Sequence, residues 1–209
     1  KLTPVDENSA NPYTLTDDDR TVIGNTTPKF SGGFGLNATF KGFDVSAFFN
    51  FMYDFDVFNA NKVMMTTWAS NNYNNFSMDI SAAKRWRNFD DMGNEIRYSP
   101  EILAEFNKNA TMWNPTSIGR PIAMSYAVED GSFLRLNTAT IGYTLPRAWT
   151  NKVGLSRVRF YASGYNLFTI TGYSGYDPEV DIATGLTPNI DNNRYPRSRT
   201  YTFGVQLTF

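Results

Sequence analysis

From residue 30 the chain alternates. Phe30, Gly32, Phe34, Leu36, Ala38 and Phe40 fall on one face of an extended segment, and Ser31, Gly33, Gly35, Asn37 and Thr39 on the other. Successive strand side chains point oppositely, so this is one apolar and one polar face. Lys41-Gly42 follows, with the glycine supplying the positive φ of a tight two-residue turn. The pattern resumes with Phe43, Val45, Ala47, Phe49, Phe51 and Tyr53 against Asp44, Ser46 and Asn50. The spacing predicts a hairpin of strands over 30–40 and 43–53. Three more strands follow, over 133–145, 157–170 and 199–209. In the first, Phe133, Ala139, Ile141 and Tyr143 share a face, but Leu134 and Leu136 blur it. In the second, Val158, Phe160, Ala162 and Gly164 alternate with Arg159, Tyr161, Ser163 and Tyr165. The third is the cleanest: Tyr201, Phe203, Val205, Leu207 and Phe209 against Thr200, Thr202, Gly204, Gln206 and Thr208.

Alternation alone does not decide between a soluble sandwich and a membrane barrel, because both keep one face apolar. Each hairpin arm is about 11 residues, the length that crosses a bilayer at a tilt of roughly 45°. Aromatics sit at the strand ends (Phe30, Phe40, Phe43, Tyr53), and the connections alternate in size. The turn at 41–42 is short and the connection 146–156 moderate, whereas 54–132 and 171–198 are long. Outer-membrane barrels combine short periplasmic turns with long external loops. Taking 41–42 as periplasmic puts both long loops outside and Phe209 on the periplasmic side. A soluble domain seldom carries a connection as long as 54–132 without structure of its own.

Composition removes other classes. The 209 residues contain no His and no Cys, and the formal net charge is −1. His-dependent triads, thiol chemistry and His- or Cys-ligated zinc are therefore out of reach, and no paired carboxylates stand at a spacing that suggests acid–base chemistry. The chain reads as a non-enzyme. Without a basic face it has no electrostatic footprint for nucleic acid. No run of apolar residues is long enough for a membrane-spanning helix. Within 54–132, residues 79–88 read as a short helix with Asp79 as N-cap. Ser99-Pro100 starts a second, whose apolar side is Ile102, Leu103 and Phe106.

Several runs then resemble one family in order. They are Asp19 to Phe30, Gly32-Gly33-Phe34 and Lys41-Gly42-Phe43-Asp44-Val45-Ser46. Further along come Ser132 to Leu136, Ile141 to Pro146, Ser163 to Ile170, Gly175-Tyr176-Asp177-Pro178-Glu179-Val180 and Tyr195 to Gly204. Together these are similar to the C-terminal part of SusC/RagA-type TonB-dependent outer-membrane transporters. The resemblance implies an all-β fold: the C-terminal strands of a large antiparallel transmembrane β-barrel, 22-stranded in the family, with long extracellular loops containing short helices. Residues 1–29 would be a segment of extracellular loop and 30–209 the last part of the barrel, with the plug domain absent. Five strands cannot close a barrel, the smallest bacterial form having eight, so the chain reads as a portion of a longer transporter.

The same resemblance implies uptake of glycan oligomers or peptides together with a SusD-like surface lipoprotein acting as a lid. Its partners would be the rest of the transporter (plug and early strands), the TonB system through the missing N-terminal part, the barrel assembly machinery, and lipid with lipopolysaccharide. The location would be the outer membrane of a Gram-negative bacterium. The competing readings are a soluble all-β cell-surface glycan-binding module, a small barrel enzyme, which the lack of His weighs against, and a lid-free TonB-dependent receptor for metal chelates.

Candidate residues follow from both lines. Trp68, Tyr73, Phe76, Trp86 and Trp113, beside several Asn, suit contact with substrate or with the lid, since planar rings bury apolar area while amides pair with polar groups; simple loop packing is the plainer reading. Thr202, Gly204, Leu207 and Phe209 resemble the C-terminal signal read by the assembly machinery. Asp6, Asp17 and Asp19 are weak candidates for a divalent cation in an acidic extracellular loop, although the turn glycine of the family's loop is missing, and a solvated acidic loop is the plainer reading; no other cofactor is expected. Trp149 reads as a belt residue at the membrane interface. Arg135, Arg157, Arg159, Arg197 and Arg199 should face the lumen or the headgroups, because a charge aimed at lipid near the midplane costs about 2–4 kcal/mol.

Overall fold

The computed structural model describes residues 20–68, 75–116, 123–180 and 188–209. Along these the strands are β1 (Phe30–Phe40), β2 (Phe43–Tyr53), β3 (Asp56–Asn59), β4 (Val128–Asp130), β5 (Phe133–Thr144), β6 (Arg157–Thr171), β7 (Ile190–Asp191) and β8 (Thr200–Thr208). Three short α-helices join them: α1 (Ala60–Thr66), α2 (Pro100–Asn107) and α3 (Arg147–Thr150). The long strands form one antiparallel sheet in the order β1-β2-β5-β6-β8. No helix among the described residues is long and apolar enough to cross a membrane, which says nothing of strands.

Register turns the alternation into two continuous faces. Phe40 pairs with Phe43, Phe43 with Tyr143, Tyr143 with Phe160, and Phe160 with Val205. One row further in, Ala38, Val45, Ile141, Ala162 and Phe203 line up in the same way. Paired residues share a side of the sheet, so these rows make an unbroken apolar wall. It is uncovered: Phe34, Leu36, Phe40, Val205 and Phe203 are all exposed. The opposite face is polar and glycine-rich. There the Asp44 carboxylate takes two hydrogen bonds from the Arg159 guanidinium, that from Nε at 2.9 Å. Their side chains meet above Gly142 on the strand between them, where any Cβ would clash with both. Thr140 and Ser163 share a hydroxyl–hydroxyl hydrogen bond of 2.8 Å on the same face.

The uncertain pattern of β5 has a mechanical cause. Phe48 pairs with Thr138 but Phe49 with Leu136, so Asn137 is an extra residue on β5. A bulge of this kind shifts the alternation by one. Leu134 and Leu136 therefore join Ala139, Ile141 and Tyr143 on the apolar wall, while Phe133 and Arg135 turn to the polar side and are buried there. Beside it, β6 carries its own irregularity, with Asn166 at a φ of 51°.

At the end of the sheet away from the short turn, the two long connections meet. A small second sheet, β4-β3-β7, joins them: β3 pairs antiparallel with β4 and parallel with β7. Under it, Phe55, Val57, Phe133, Tyr173 and Val180 form a buried core, with Met52 packed against it. Since Met52 and Phe133 belong to the polar side of the wall, this cap is anchored on the inner surface.

Gly131 sits against that core. A Cβ there would lie 2.5 Å from a ring carbon of Phe55 and 2.6 Å from a methyl of Val57. Gly131→Ala is expected to destabilise the cap by about 1–3 kcal/mol through overpacking. Limited proteolysis of the loops should speed up, with the sheet's resistance to detergent unchanged.

The helix expected over 79–88 does not form. Ser77 caps a single 3-10 turn, Met78–Ile80, its hydroxyl accepting from the Asp79 amide at 3.2 Å. A second turn follows, the Lys84 and Arg85 amides both donating to Ser81 O at 3.0 Å, and helix stops there because Trp86 N–H donates to Met112 O (2.8 Å) and Arg85 bridges to Met112. Helix α2 does start at Ser99-Pro100, without a side-chain cap bond. Leu103 and Phe106 are half-buried, but Ile102 is exposed, and Asn107 is the residue that α2 buries.

Candidate functional site

The chemistry-bearing side chains gather in the cap. Asn59 ends β3 and caps α1, its Oδ1 accepting from the Lys62 amide at 3.3 Å. Its Nδ2 donates to Glu129 on β4 (3.0 Å), and Glu129 also receives the Ser174 amide (3.0 Å), the Ser174 hydroxyl (2.9 Å) and the Lys62 ammonium (3.1 Å). Burial alone would raise this carboxyl, but the Ser174, Asn59 and Lys62 hydrogen bonds outweigh it and hold Glu129 below the usual range. Glu129 thus ties both loops together. Tyr173 fastens the second loop on itself, donating to the buried Asp191 at 2.7 Å, and Asp191 reaches the first loop by accepting from Asn61 Nδ2 at 3.3 Å. Burial, then the hydrogen bond to Asp191, pushes its phenol well above the ordinary value.

A second anchor is a charged clamp. Arg135 is only 2% exposed and donates to Asp177 at 2.5 Å, with Glu179 at 3.6 Å from its other amino group. Arg197 reaches Glu179 at 2.7 Å. The guanidinium of Arg135 also lies 5.4 Å from the Phe133 ring centroid. The Asp177-Pro178-Glu179 segment is thereby held against the inner face of the wall. Arg157 and Arg159 also point inward, as lipid avoidance requires, and Arg159 finds its carboxylate within this chain, in Asp44.

Of the five loop aromatics, Trp68 and Phe76 pack together, ring centroids 5.8 Å apart. With Trp86, Phe89 and Arg85 they line an open cleft of about 420 Å³. Trp113 is not among them: its Nε1 donates to Thr66 O (3.0 Å) and its ring meets Tyr126 edge-on at 5.2 Å, which is packing. Tyr73 lies outside the described residues, as do Asp6, Asp17 and Asp19. No cluster of acidic, His or Cys residues fit to hold a metal occurs among the described residues. Thr202 and Gly204 lie on the inner face of β8, Gly204 beneath the Tyr161 ring, while Leu207 faces outward and Phe209 is exposed. Trp149 is exposed on α3.

Asp79 and Tyr126 make a testable pair. The phenol donates to Asp79 at 3.0 Å, and Asp79 also receives Ser77 and Lys84. The Tyr126 bond leads in holding Asp79 below the ordinary 3.8, while burial, then Asp79, pushes Tyr126 up to about 12. A depressed carboxyl gives stability above its free pKa that is lost as pH falls below it; a raised phenol gives stability present below pH 10 and lost between 10 and about 12. The contact is expected to hold from about pH 4 to 10, checked by ultraviolet difference titration of tyrosinate with Tyr126→Phe as the blank.

Long antiparallel strands with an uncovered apolar face, a polar inner face and a cap of loops at one end define a length of transmembrane β-barrel wall. No family model matches the chain. Among curated proteins it is 32% identical over 197 residues to TonB-dependent receptor P3 of Formosa agariphila, covering 91% of this chain and 17% of that protein. It is also 32% identical over 164 residues to TonB-dependent receptor SusC of Bacteroides thetaiotaomicron, covering 72% of this chain and 15% of SusC. Among solved structures it resembles the RagAB peptide importer in its closed-closed state, with a TM-score of 0.70, 25% identity, and 94% of this chain matched to 19% of the other. The open-open state gives 0.66. The chain belongs to the SusC/RagA-type TonB-dependent receptors. It spans only 17% of the length of the first of these relatives.

Proposed function

We propose that this chain forms C-terminal wall strands and part of the external cap of an outer-membrane importer of glycan oligomers or peptides, driven by TonB and lidded by a SusD-like lipoprotein. The observation that carries this is the uncovered apolar wall on strands of 9 to 15 residues, backed by a polar inner face. Similarity to SusC and to the RagAB peptide importer supports the transport reading. A soluble glycan-binding module would need a second sheet over the phenylalanines, and among the described residues nothing covers them. A lid-free receptor for metal chelates draws no support from relatives named SusC and RagAB. The role assigned here is transport, with no catalysis.

In this setting the residues take distinct roles. β8, with Thr202, Gly204, Leu207 and Phe209, is the strand offered to the assembly machinery. The Trp68–Phe76–Trp86 cleft is a surface for the lid or the substrate. Asp6, Asp17 and Asp19 remain a cation candidate. The test is fractionation of cells carrying a tagged full-length transporter, followed by purification in detergent. The expected result is an outer-membrane species that co-purifies a surface lipoprotein and is needed for growth on an oligomeric nutrient. A protein that stays soluble without detergent would overturn the proposal.

A further inference from the structure

The outer face of the wall is not smooth. Ala162 on β6 pairs with Ile141 on one side and Phe203 on the other, and the next row toward the short turn holds Tyr143, Phe160 and Val205. One methyl among these large side chains leaves an apolar groove of about 460 Å³ between them. The groove lies toward the Lys41-Gly42 end of the sheet, the periplasmic end when short turns face the periplasm.

That end carries cations on the same side. Lys41, in the turn between β1 and β2, has its Nζ 5.2 Å from the centroid of the outward Phe40 ring. In the connection from β5 to β6, α3 packs against β6. Val158 belongs to the outer side by its alternation with Phe160, yet it is 6% exposed where Phe160 is 47%. The connection therefore folds over the outer edge of the wall, and on it Arg147, Trp149 and Lys152 are exposed.

Little negative charge balances them. From Gly131 to Tyr176 the sequence holds no acidic residue, and no side-chain carboxylate pairs with Lys41, Arg147 or Lys152 among the described residues. A polar recess of about 310 Å³, bordered by Lys41, Asp44, Thr144 and Arg157, meets the groove at Phe43. Asp44 is taken by Arg159, so the recess keeps a positive balance. An apolar slot that opens under unpaired cations matches an amphiphile with a negative head. Lys and Arg at a bilayer surface attract anionic headgroups, and a Trp at the same level suits the interface. A zwitterionic head would bring an ammonium with no free carboxylate to meet. Lipid A, also anionic, belongs to the opposite leaflet and so to the other end of the strands. We infer that this edge is a binding site for an anionic phospholipid of the periplasmic leaflet, with an acyl chain in the groove at Ala162 and the phosphate head among Lys41, Arg147 and Lys152. This rests on the outer-membrane reading and adds a lipid partner of defined charge to it.

The test is native mass spectrometry of the detergent-purified full-length transporter, titrated in turn with phosphatidylglycerol, phosphatidylethanolamine and lipid A. Phosphatidylglycerol is expected to be retained most tightly. Each of Lys41→Gln, Arg147→Gln and Lys152→Gln should weaken it roughly five-fold, the worth of one cation at an anionic surface. Lys41→Arg and Lys152→Arg should leave it unchanged, because the charge is what the headgroup meets. Ala162→Leu, which fills the groove and keeps it apolar, should weaken retention with every cation in place. Equal retention of phosphatidylglycerol and phosphatidylethanolamine, tighter retention of lipid A, or a preference untouched by the Gln and Leu variants would overturn the inference. The comparison of lipids on the parent protein depends on no variant folding. Failure of the outer-membrane reading looks different: the tagged transporter would be missing from the outer-membrane fraction. If only the lipid site is misassigned, the transporter is found there with its lipoprotein but shows no preference for the anionic lipid.

Discussion

Arg135→Leu is expected to release the segment 173–180 from the wall while leaving the strands assembled. Arg135 is the most deeply buried charge among the described residues, and its removal leaves Asp177 and Glu179 facing each other with Arg197 alone, itself half in solvent. Breaking a buried ion pair from one side costs about 3–5 kcal/mol, because the remaining charge keeps its desolvation penalty. The loss should show as faster hydrogen exchange in amides 173–180 and as tryptic cleavage at Arg194 and Arg197 in the otherwise folded transporter. Replacing Asp177 and Glu179 by apolar residues as well is expected to restore much of the protection, since neutral side chains of similar volume then stand where the charges were. If Arg135→Leu exchanges like the parent protein, the clamp is not what holds this segment.

The second large effect is a contrast between neighbours. Ala47 lies on the apolar wall in the row with Leu36, Ala139, Gly164 and Tyr201, midway along the strands, and Ser46 lies on the inner face opposite Asn37 and Thr140. Ala47→Arg places a guanidinium in hydrocarbon and is expected to destabilise the barrel by about 2–4 kcal/mol. Ser46→Arg puts the same charge on the polar inner face and should change little. The measurement is the folded fraction in outer membranes, read from the heat-dependent gel shift of each variant. Equal tolerance at both positions would mean that the apolar wall does not face lipid.

The wall was legible because its signal is local and repeated. In β1 and β8 the wall positions fall at every second residue, as they do in β2 apart from the inward Phe48 and Met52, and register follows from the two-residue turn at Lys41-Gly42. The inward set of Arg157 and Arg159 was legible for the same reason. The cap was not. β3, β4 and β7 are 4, 3 and 2 residues long, too short to show any period, and β7 finds its partner by a parallel pairing of Ile190 with Phe58 across the whole length of the chain between them. The false helix over 79–88 had helical composition, yet Met112, far along the chain, claims the backbone of Trp86. Trp68, Phe76 and Trp86 were found as aromatics in a polar loop, and that they line one cleft follows from backbone bonds such as that of Trp68 to Pro115. Tyr176 and Tyr195 stand in runs that carry the family resemblance, but only the fold brings them to one opening.

The extra residue at Asn137 has a consequence for how charge and grease are sorted in β5. Counting by twos from Tyr143 through Ile141 and Ala139 would arrive at Asn137 and then Arg135, sending a guanidinium into the acyl chains and two leucines into water. One added residue resets the phase of the strand, so that its outer third carries the cationic hook for the cap inward and Leu134 and Leu136 outward. A single strand thereby serves as membrane wall along most of its length and as a mooring post at its tip.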